Sequence, residues 1–336
     1  MRRVGVVMGG SSGEREVSLR SGTAVAAALS DRGHAVVPVV LGANEDVAAA
    51  LAKARVDVAF LALHGRYGED GCVQAVCELL GVPYTGSSVL ASALAMDKVK
   101  AKELFRLHNI PTPPYYTIGS DAARADLEEA HGSFGFPVMV KPRSEGSSLG
   151  LSRANTIAEL SRAVDAALGF DDVALVERYI VGREITIGIL DGRVLGAVEV
   201  APKSGVYDYE AKYTPGRTEY FLPARVPPTR LRGILNLAER AAKALDCTGA
   251  VRVDVLVTEG ENEYVLEVNT LPGMTETSLL PKIAASAGYD LGALCEAILD
   301  GARLHQGAAR ARAASRVSRL EARAEEATTP LRRVAV

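Results

Sequence analysis

Cysteine is scarce in this chain of 336 residues, and the spacing that cysteine-based sites require is missing. No two of the four cysteines form a Cys-x-x-Cys pair, and each lies among apolar residues. This pattern argues against a disulfide framework and against a cysteine-ligated metal. It predicts reduced cysteines in the hydrophobic core at Cys72, Cys77, Cys247 and Cys295.

A strong charge of one sign is also missing, and no apolar run approaches the length of a membrane span. The formal net charge of −3 gives no reason to expect nucleic acid or an anionic membrane surface as a partner. The chain begins Met-Arg-Arg, but the apolar run that follows is too short for a signal peptide and is typical of a buried strand. We therefore expect a cytoplasmic protein with neither nucleic acid nor membrane as a partner.

The length exceeds the size at which one hydrophobic core keeps growing, so two or three domains are expected. Strand-like and helix-like segments alternate in residues 1–95, which is typical of a parallel sheet with crossover helices. Two further α/β units are expected at 96–181 and 182–302. The remainder, 303–336, is rich in Ala and Arg, lacks a clear apolar stripe and is expected to be frayed or disordered.

Local patterns place the main elements. Asp97 is the expected N-cap of one helix, and Asp191-Gly192 is a tight hairpin signal. The predicted strands are Val4–Met8, Ala35–Val40, Asp57–Leu61, Pro137–Lys141, Val173–Glu177, Glu184–Leu190 and Val194–Val200. The predicted helices are those after Arg15 and Asn44, Lys98–His108 and Thr229–Leu245.

Two strand-like segments near the C-terminus alternate apolar and polar residues. Arg252 and Asp254 share one face of the first segment, and Glu267 and Asn269 share one face of the second. If the strands are neighbours, one surface carries two carboxylates, an amide oxygen and a guanidinium. Such oxygens suit Mg²⁺, which takes one or two carboxylates plus phosphate oxygens, and the guanidinium suits an anion that forms there. A solvated face with ordinary salt bridges is the alternative interpretation.

A glycine loop follows the first strand and opens a helix at Glu14. Such loops bind anions, but Gly-x-Gly-x-x-Gly is absent, and the carboxylates of Glu14 and Glu16 would repel a pyrophosphate. A substrate ammonium is the better partner for Glu14, and the alternative is that Glu14 only serves the helix dipole. His64 leaves the third strand at the same sheet edge, where it could bind substrate or Glu14, or be a structural histidine.

A second glycine loop follows a buried strand that ends at Lys141. Its small residues, including Ser147 and Ser148, can cradle phosphates while Lys141 supplies charge; a mobile surface loop is the alternative. The next strand runs through Glu177 into an extended connector, and the backbone of this connector could pair with an adenine edge. The alternative is that the segment is an ordinary edge strand. Glu184 could then take ribose hydroxyls.

Two further loops complete the set of candidates. Residues 207–213 hold three tyrosines within seven residues, which favours a loop that packs against another surface over one that is exposed to solvent. A loop that leaves the strand of Asn269 can bring the Gly273 amide and the Ser278 hydroxyl to a reacting centre.

With these motifs in this order, the chain resembles the D-alanine–D-alanine ligase family of the ATP-grasp superfamily from Val4 to about Asp300. The motifs that carry the resemblance are Gly-Gly-x-Ser-x-Glu-Arg-Glu-Val-Ser, Leu-His-Gly-x-x-Gly-Glu-Asp-Gly, Met-Asp-Lys, Lys-Pro-x-x-Glu-Gly-Ser-Ser, Tyr-Asp-Tyr-Glu-Ala-Lys-Tyr and Glu-x-Asn-Thr-x-Pro-Gly-Met-Thr. The resemblance implies an α/β fold of ATP-grasp architecture, with an N-terminal substrate domain and with ATP between the central and C-terminal domains, the latter holding the metal site.

The resemblance also implies a role for each candidate residue. Glu14 would hold the ammonium of the first substrate, linked by hydrogen bonds to Ser147 and Tyr213, with His64 nearby. Arg252 and the Gly273 amide would stabilise the oxyanion, and Ser278 would hold the carboxylate of the second substrate. Two Mg²⁺ ions would bind Asp254, Glu267 and Asn269. ATP would contact Lys98, Lys141, Ser147, Ser148, Glu177, Ile180, Glu184 and Lys212.

The implied reaction joins two D-alanine molecules at the expense of ATP through an acyl phosphate. Mn²⁺ is an alternative metal, K⁺ is a further candidate ion, and a homodimer is expected. D-lactate or D-serine as the second substrate is the nearest alternative, followed by another ATP-grasp dipeptide ligase. A nucleotide-binding regulator or a dehydrogenase is a more distant one, since the acidic set favours catalysis and the dinucleotide fingerprint is absent.

Overall fold

The computed structural model describes residues 2–43, 45–121, 127–205, 207, 211–212, 214 and 216–306. Their strands form three sheets, of three, four and five strands, which follow one another along the chain. This confirms the predicted α/β class. Across the described residues, no helix is both long enough and apolar enough to cross a membrane.

The first sheet is parallel, and its central strand is buried. It consists of β1 (Arg3–Gly9), β2 (Ala35–Leu41) and β3 (Val58–Leu61), in the order β2-β1-β3. Its helices are α1 (Arg15–Asp31), α2 (Val47–Ala54) and α3 (Cys72–Leu80), and they are followed by α4 (Val89–Met96), whose Ala95 packs into the core of the third sheet. The strands and the first two helices lie where the sequence predicted them. The last two were not predicted, because α3 starts at a glycine that offers no side-chain cap and α4 is almost wholly apolar.

The second sheet is antiparallel and carries the second glycine loop. After α5 (Lys98–Leu107) come β4 (Tyr115–Gly119), α6 (Leu127–His131), β5 (Val138–Pro142), β6 (Ser152–Ala154), α7 (Ile157–Leu168) and β7 (Val173–Arg178). The strand order is β4-β7-β5-β6. Asp97 caps α5 as predicted, accepting from the amides of Val99 and Lys100. The three-residue strand β6 was not predicted, because it is too short to show an alternating pattern.

The third sheet is antiparallel, in the order β10-β9-β8-β11-β12. Its strands are β8 (Arg183–Leu190), β9 (Arg193–Pro202), β10 (Thr218–Phe221), β11 (Ala250–Val257) and β12 (Glu263–Asn269). Its helices are α8 (Pro228–Ala244), α9 (Leu279–Ser286) and α10 (Leu291–Asp300). The predicted hairpin turn is confirmed at Asp191 and Gly192, whose φ angles are 46° and 79°.

Shared cores fix the sheets relative to one another. Leu190 and Met274 of the C-terminal unit join the core beneath the first sheet, together with Val4. Ala101 and Phe105 of α5 join the core of the third sheet, although α5 precedes the second sheet in the chain. Packing of this kind holds the loops between the sheets in defined positions.

The cysteines and the start of the tail depart in part from expectation. All four cysteines are free, and Cys77 and Cys295 are buried as predicted, but Cys72 is exposed because it begins α3 on the surface. Arg303 forms a β-bridge with Tyr84, so the first residues of the expected tail pack against the N-terminal unit. Residues 307–336 lie outside the described residues.

Candidate active site

Neighbouring strands of the third sheet bring the charged residues together. β11 and β12 pair Arg252 with Asn269 and Asp254 with Glu267. One Asp254 oxygen accepts from Arg252 at 2.9 Å and from the Asn269 amide at 3.3 Å, while the other accepts from the Thr186 hydroxyl at 2.8 Å. Asp254 is only 4% exposed. This surface is therefore not the solvated face of the alternative interpretation.

Opposite charge keeps Glu267 ionised despite its partial burial. Burial alone would raise its pKa, but Lys98, Lys212 and Lys141 outweigh that effect and lower the pKa to about 2. Lys98 Nζ lies 3.9 Å from Glu267 Oε2. The Glu267 carboxylate therefore favours its ionised form and faces several cations.

The donor set fits a divalent cation. Burial raises the pKa of Glu184 to about 8, and the nearby carboxylate of Asp254 adds to that rise. Carboxylates crowded in this way repel one another, and a bound cation would relieve the repulsion. In the part of the chain that the structure describes, no three acidic, histidine or cysteine side chains form a self-contained metal site. Asp254 and Glu267 with the Asn269 amide match Mg²⁺, whose remaining ligands are commonly phosphate oxygens.

A cavity of about 350 Å³, which we call the large cavity, lies between the second and third sheets. Apolar walls with a few charged groups are typical of a small-molecule site. Seven of the eight predicted ATP contacts line it: Lys98, Lys141, Ser148, Glu177, Ile180, Glu184 and Lys212. The eighth, Ser147, lines a second cavity instead.

A buried ion-pair cluster forms one wall of the large cavity. The carboxylate of Glu177 lies 2.5 Å from Lys102 Nζ and 2.7 Å from Lys141 Nζ. Lys102 is fully buried and also donates to the Thr112 hydroxyl at 2.6 Å. Burial would raise the pKa of Glu177, but the two lysines hold it below its usual value. Lys102 was not predicted from the sequence, although its i, i+4 spacing from Lys98 on α5 places both residues on one helix face.

A second cavity of about 80 Å³, the small cavity, adjoins the first. Three units contribute to it: the first glycine loop, the second glycine loop and the C-terminal strands with the loop that follows them. The predicted residues that line it are Glu14, His64, Ser147, Lys212, Arg252, Glu267, Asn269, Gly273 and Ser278. The structure thus brings together residues that are more than 250 positions apart in the chain.

Glu14 is the buried acid of the small cavity. One carboxylate oxygen accepts a short hydrogen bond from the Ser147 hydroxyl. The other, Oε2, is buried and has no hydrogen-bond partner among the described residues. Glycines allow the carboxylate its position, because a Cβ added to Gly65 or Gly146 would lie 2.8 or 2.4 Å from Oε2. Burial raises the pKa of Glu14, while Ser147 and Lys212 oppose the rise.

An unpartnered buried carboxylate oxygen is costly unless a ligand completes it. A cationic ligand group fits Glu14 best, because an ammonium would both donate a hydrogen bond and neutralise the charge. Glu14 stands at the N-cap position of α1, yet its side chain makes no capping hydrogen bond.

The second glycine loop has an unusual backbone and meets the tyrosine loop. Ser147 and Ser148 have φ angles of 49° and 58°, in the left-handed region that residues other than glycine seldom occupy. The Ser148 hydroxyl donates to the carbonyl oxygen of Tyr207 at 3.0 Å. The two loops therefore touch at the large cavity, which both residues line. Tyr213 lies outside the described residues, so its bond to Ser147 stays a prediction.

His64 supports a loop as well as lining the small cavity. Its Nε2 lies 3.2 Å from the Ser21 hydroxyl, and that hydroxyl accepts from the Met274 amide at 3.2 Å. Burial lowers the pKa of His64 to about 4, so the ring is neutral near pH 7. These contacts favour the structural interpretation, and a substrate contact stays a prediction.

The loop after β12 places two predicted groups side by side. A Cβ on Gly273 would lie 2.8 Å from the Ser278 hydroxyl, so a larger residue at this position would require that hydroxyl to move. The Ser278 hydroxyl is 2.7 Å from that of Thr275. Ser278 stands at the N-cap of α9, where its side chain makes no capping bond.

Glu69 is a further site residue that sequence reasoning missed. It lines the small cavity and accepts from the Gly65 amide at 2.8 Å. Burial raises its pKa to about 8, and the Glu14 carboxylate adds to the rise. The signal was present, since Glu69 lies in the same loop motif as His64.

The fold and the site together define a class. A large cavity between two antiparallel sheets, with lysines on one wall and paired carboxylates on the other, is the ATP-grasp arrangement of ATP-dependent ligases. Known proteins agree. The family model described as D-ala D-ala ligase C-terminus matches residues 104–300, and the one described as D-ala D-ala ligase N-terminus matches residues 41–87.

Individual relatives cover nearly the whole chain. A D-alanine–D-alanine ligase of Geobacter sulfurreducens is 51% identical over 303 residues, which are 90% of this chain and 94% of the relative. The crystal structure of a D-alanine–D-alanine ligase from Bacillus anthracis complexed with ATP has a TM-score of 0.77 and 34% identity, covering 90% of this chain and 97% of the other. The VanG D-Ala:D-Ser ligase of Enterococcus faecalis has a TM-score of 0.77 and 28% identity, covering 89% and 98%. The chain belongs to the D-alanine–D-alanine ligase family.

Proposed function

We propose that the protein joins two D-alanine molecules, converting them and ATP to D-alanyl-D-alanine, ADP and phosphate for the synthesis of peptidoglycan precursors. One observation carries this proposal. The large cavity and the small cavity share Tyr207, Lys212 and Glu267 as lining residues. A nucleotide in the first would therefore place its terminal phosphate beside an amino acid in the second.

In the first step the carboxylate of one D-alanine attacks the γ-phosphate of ATP, forming D-alanyl phosphate and ADP. Glu14 holds the ammonium of that D-alanine through the unpartnered oxygen, and the Ser147–Tyr213 link orients the carboxylate of Glu14. Two anions must approach each other in this step, so Lys98, Lys141 and Lys212 lower the repulsion.

In the second step the neutral amine of another D-alanine attacks the acyl phosphate. The tetrahedral intermediate then expels phosphate, and the amine nitrogen loses its proton. Arg252 and the Gly273 amide stabilise the negative oxygen of the intermediate, and Ser278 holds the carboxylate of the second D-alanine. Burial opposes the charge of Arg252, but the adjacent carboxylate of Asp254 raises its pKa, so the guanidinium stays charged.

Asp254, Glu267 and Asn269 would hold two Mg²⁺ ions, with Mn²⁺ as a substitute and K⁺ as an additional ion. The metal ions supply positive charge for the phosphates of ATP. Residues 1–95 would serve as the substrate domain, with 96–181 and 182–302 as the two halves of the ATP site. We further propose a cytoplasmic homodimer.

The two lids would close over the reaction, because an acyl phosphate hydrolyses readily and water must be excluded. They are the second glycine loop and the tyrosine loop, and the Ser148–Tyr207 bond joins them. We expect both to become more protected from hydrogen exchange when ATP and D-alanine bind. Equal protection with and without ligands would show that they are fixed walls.

The alternative functions differ from the proposed one in the identity of the second substrate. The likeness to a D-Ala:D-Ser ligase has the same TM-score as the likeness to the ATP-bound D-alanine–D-alanine ligase, so the fold does not separate these activities. D-lactate as the second substrate and the substrates of other ATP-grasp dipeptide ligases are further alternatives, and an activity assay distinguishes them. The test is phosphate release from ATP with a panel of D- and L-amino acids and D-hydroxy acids. D-alanine alone should support turnover; turnover that requires another partner, or none with D-alanine, would contradict the proposal.

A further inference from the structure

We infer that Arg66 is a positioning residue for the ligation: it fastens the second glycine loop to the N-terminal unit and so sets Ser147 against Glu14. This inference rests on the proposed function. Arg66 belongs to the loop that follows β3, and its partners belong to the central unit.

The guanidinium of Arg66 spans a junction between two units. Its Nε donates to Glu145 Oε1 at 2.6 Å, and its Nη2 donates to the carbonyl oxygen of Phe170 at 2.8 Å. The same Nη2 lies 3.6 Å from the carboxylate of Asp171. A planar guanidinium with several acceptors fixes orientation better than a single-point contact.

The position of this ion pair in the sequence links it to the small cavity. Arg66 directly follows Gly65, and Glu145 directly precedes Gly146. Those two glycines pack against the unpartnered oxygen of Glu14. The ion pair therefore links the two loops whose glycines surround the Glu14 carboxylate. Each residue of the pair is adjacent in sequence to one of these glycines.

The glycine loop is also held within its own unit. The Ser144 amide donates to Asp171 at 2.8 Å, and Lys98 Nζ donates to the carbonyl oxygen of Glu145 at 2.5 Å. These bonds keep the shape of the loop when Arg66 is removed. Loss of Arg66 should therefore change where the loop sits relative to Glu14, and leave the folding of the loop itself intact.

Exposure sets the size of the expected effect. The side chain of Arg66 is 46% exposed, and that of Glu145 is 12% exposed. Fully exposed ion pairs contribute little, whereas hydrogen bonds to charged groups in drier places contribute more. We therefore expect Arg66→Met to raise the apparent KM for D-alanine about three- to tenfold.

The experiment compares Arg66→Met, Arg66→Lys, Glu145→Gln and the double variant Arg66→Met/Glu145→Gln in steady-state phosphate release. Arg32→Met is the matched control, because Arg32 also forms surface ion pairs and is 37% exposed, but lies at the far end of α1. We expect Arg66→Met and Glu145→Gln to raise the KM for D-alanine and, because Arg66 does not line the large cavity, we expect Arg66→Met to change the Kd for ATP by less than about twofold. Arg66→Lys should recover part of the loss, and the double variant should be no worse than the worse single variant.

Three kinetic results would overturn the inference: Arg66→Met behaving like Arg32→Met, fully additive effects of Arg66→Met and Glu145→Gln, or a loss of ATP affinity in Arg66→Met as large as its loss for D-alanine. Hydrogen exchange of residues 144–150 gives a readout that is independent of turnover, and it should be faster in Arg66→Met than in the wild type. If the wild type does not consume D-alanine, the proposed function fails. Unchanged exchange in Arg66→Met would instead reject the positioning role alone.

Discussion

Replacing Glu14 by glutamine should weaken substrate binding without weakening the fold. The substitution keeps the size of the side chain and removes its charge. Glu14 is 8% exposed in the wild type, and one of its carboxylate oxygens has no hydrogen-bond partner among the described residues. Ser147 can still donate to the remaining carbonyl oxygen of the amide, so the hydrogen bond between the two loops survives.

The expected magnitude follows from the burial. A hydrogen bond between charged groups typically contributes about 1.5–3 kcal/mol, which corresponds to a loss of about 10- to 150-fold in kcat/KM for D-alanine. The stability of the free protein should move the other way or stay unchanged, because the substitution removes a buried and incompletely paired charge. We expect the free energy of unfolding to be equal to that of the wild type or higher by about 1 kcal/mol.

Phosphate release measured against D-alanine concentration gives the first quantity, and urea denaturation of the ligand-free protein gives the second. Glu16→Gln is the matched control, since it makes the same substitution at an exposed residue two positions further along the chain. If Glu14→Gln kept kcat/KM for D-alanine and lost stability, Glu14 would be a structural residue and the ammonium site would lie elsewhere.

Four other changes test separate parts of the site. Arg252→Met should lower kcat about 10²- to 10³-fold with little effect on the KM for ATP, and a loss confined to that KM would make Arg252 a phosphate ligand. Glu267→Gln should lower turnover sharply at saturating Mg²⁺ and ATP while the melting temperature is kept; normal turnover would contradict the metal assignment. Lys102→Met should raise the Kd for ATP about tenfold, because it leaves Glu177 with fewer bonds, and an unchanged Kd would limit Lys102 to packing. Burial lowers the pKa of His64 from 6.5 to about 4, so the folded state loses stability as the pH falls through that interval, by roughly 3 kcal/mol at most. His64→Gln should lose less stability than the wild type between pH 7 and pH 4.5, and an equal loss would reject this sign.

Periodicity explains why the strand pair of the third sheet could be predicted. Alternation with period two assigns Arg252 and Asp254 to one face whatever the neighbouring strand is. That the two strands are neighbours was an assumption, and the structure confirms it and sets Asp254 opposite Glu267. Loop residues such as Ser147 were identified by motif, and the left-handed backbone there could not be derived from composition.

Contacts between distant segments mark the limit of such reasoning. The burial of Lys102 depends on Glu177, and two helices, three strands and their loops separate the two residues in the chain. The ion pair of Arg66 with Glu145 depends on how two sheets are oriented, and that orientation follows from shared cores and not from local pattern. Cys72 was placed in the core because its neighbours are apolar, whereas the start of a surface helix exposes it.

Transfer of oxygen from substrate to phosphate tests the central proposal most directly. The protein is supplied with ATP and D-alanine carrying ¹⁸O in its carboxylate, and the products are analysed by mass spectrometry. Ligation through an acyl phosphate predicts ADP, a dipeptide and phosphate that carries one ¹⁸O atom, because the attacking carboxylate oxygen leaves with the phosphate. Phosphate without ¹⁸O, or release of AMP and pyrophosphate in place of ADP, would contradict the account.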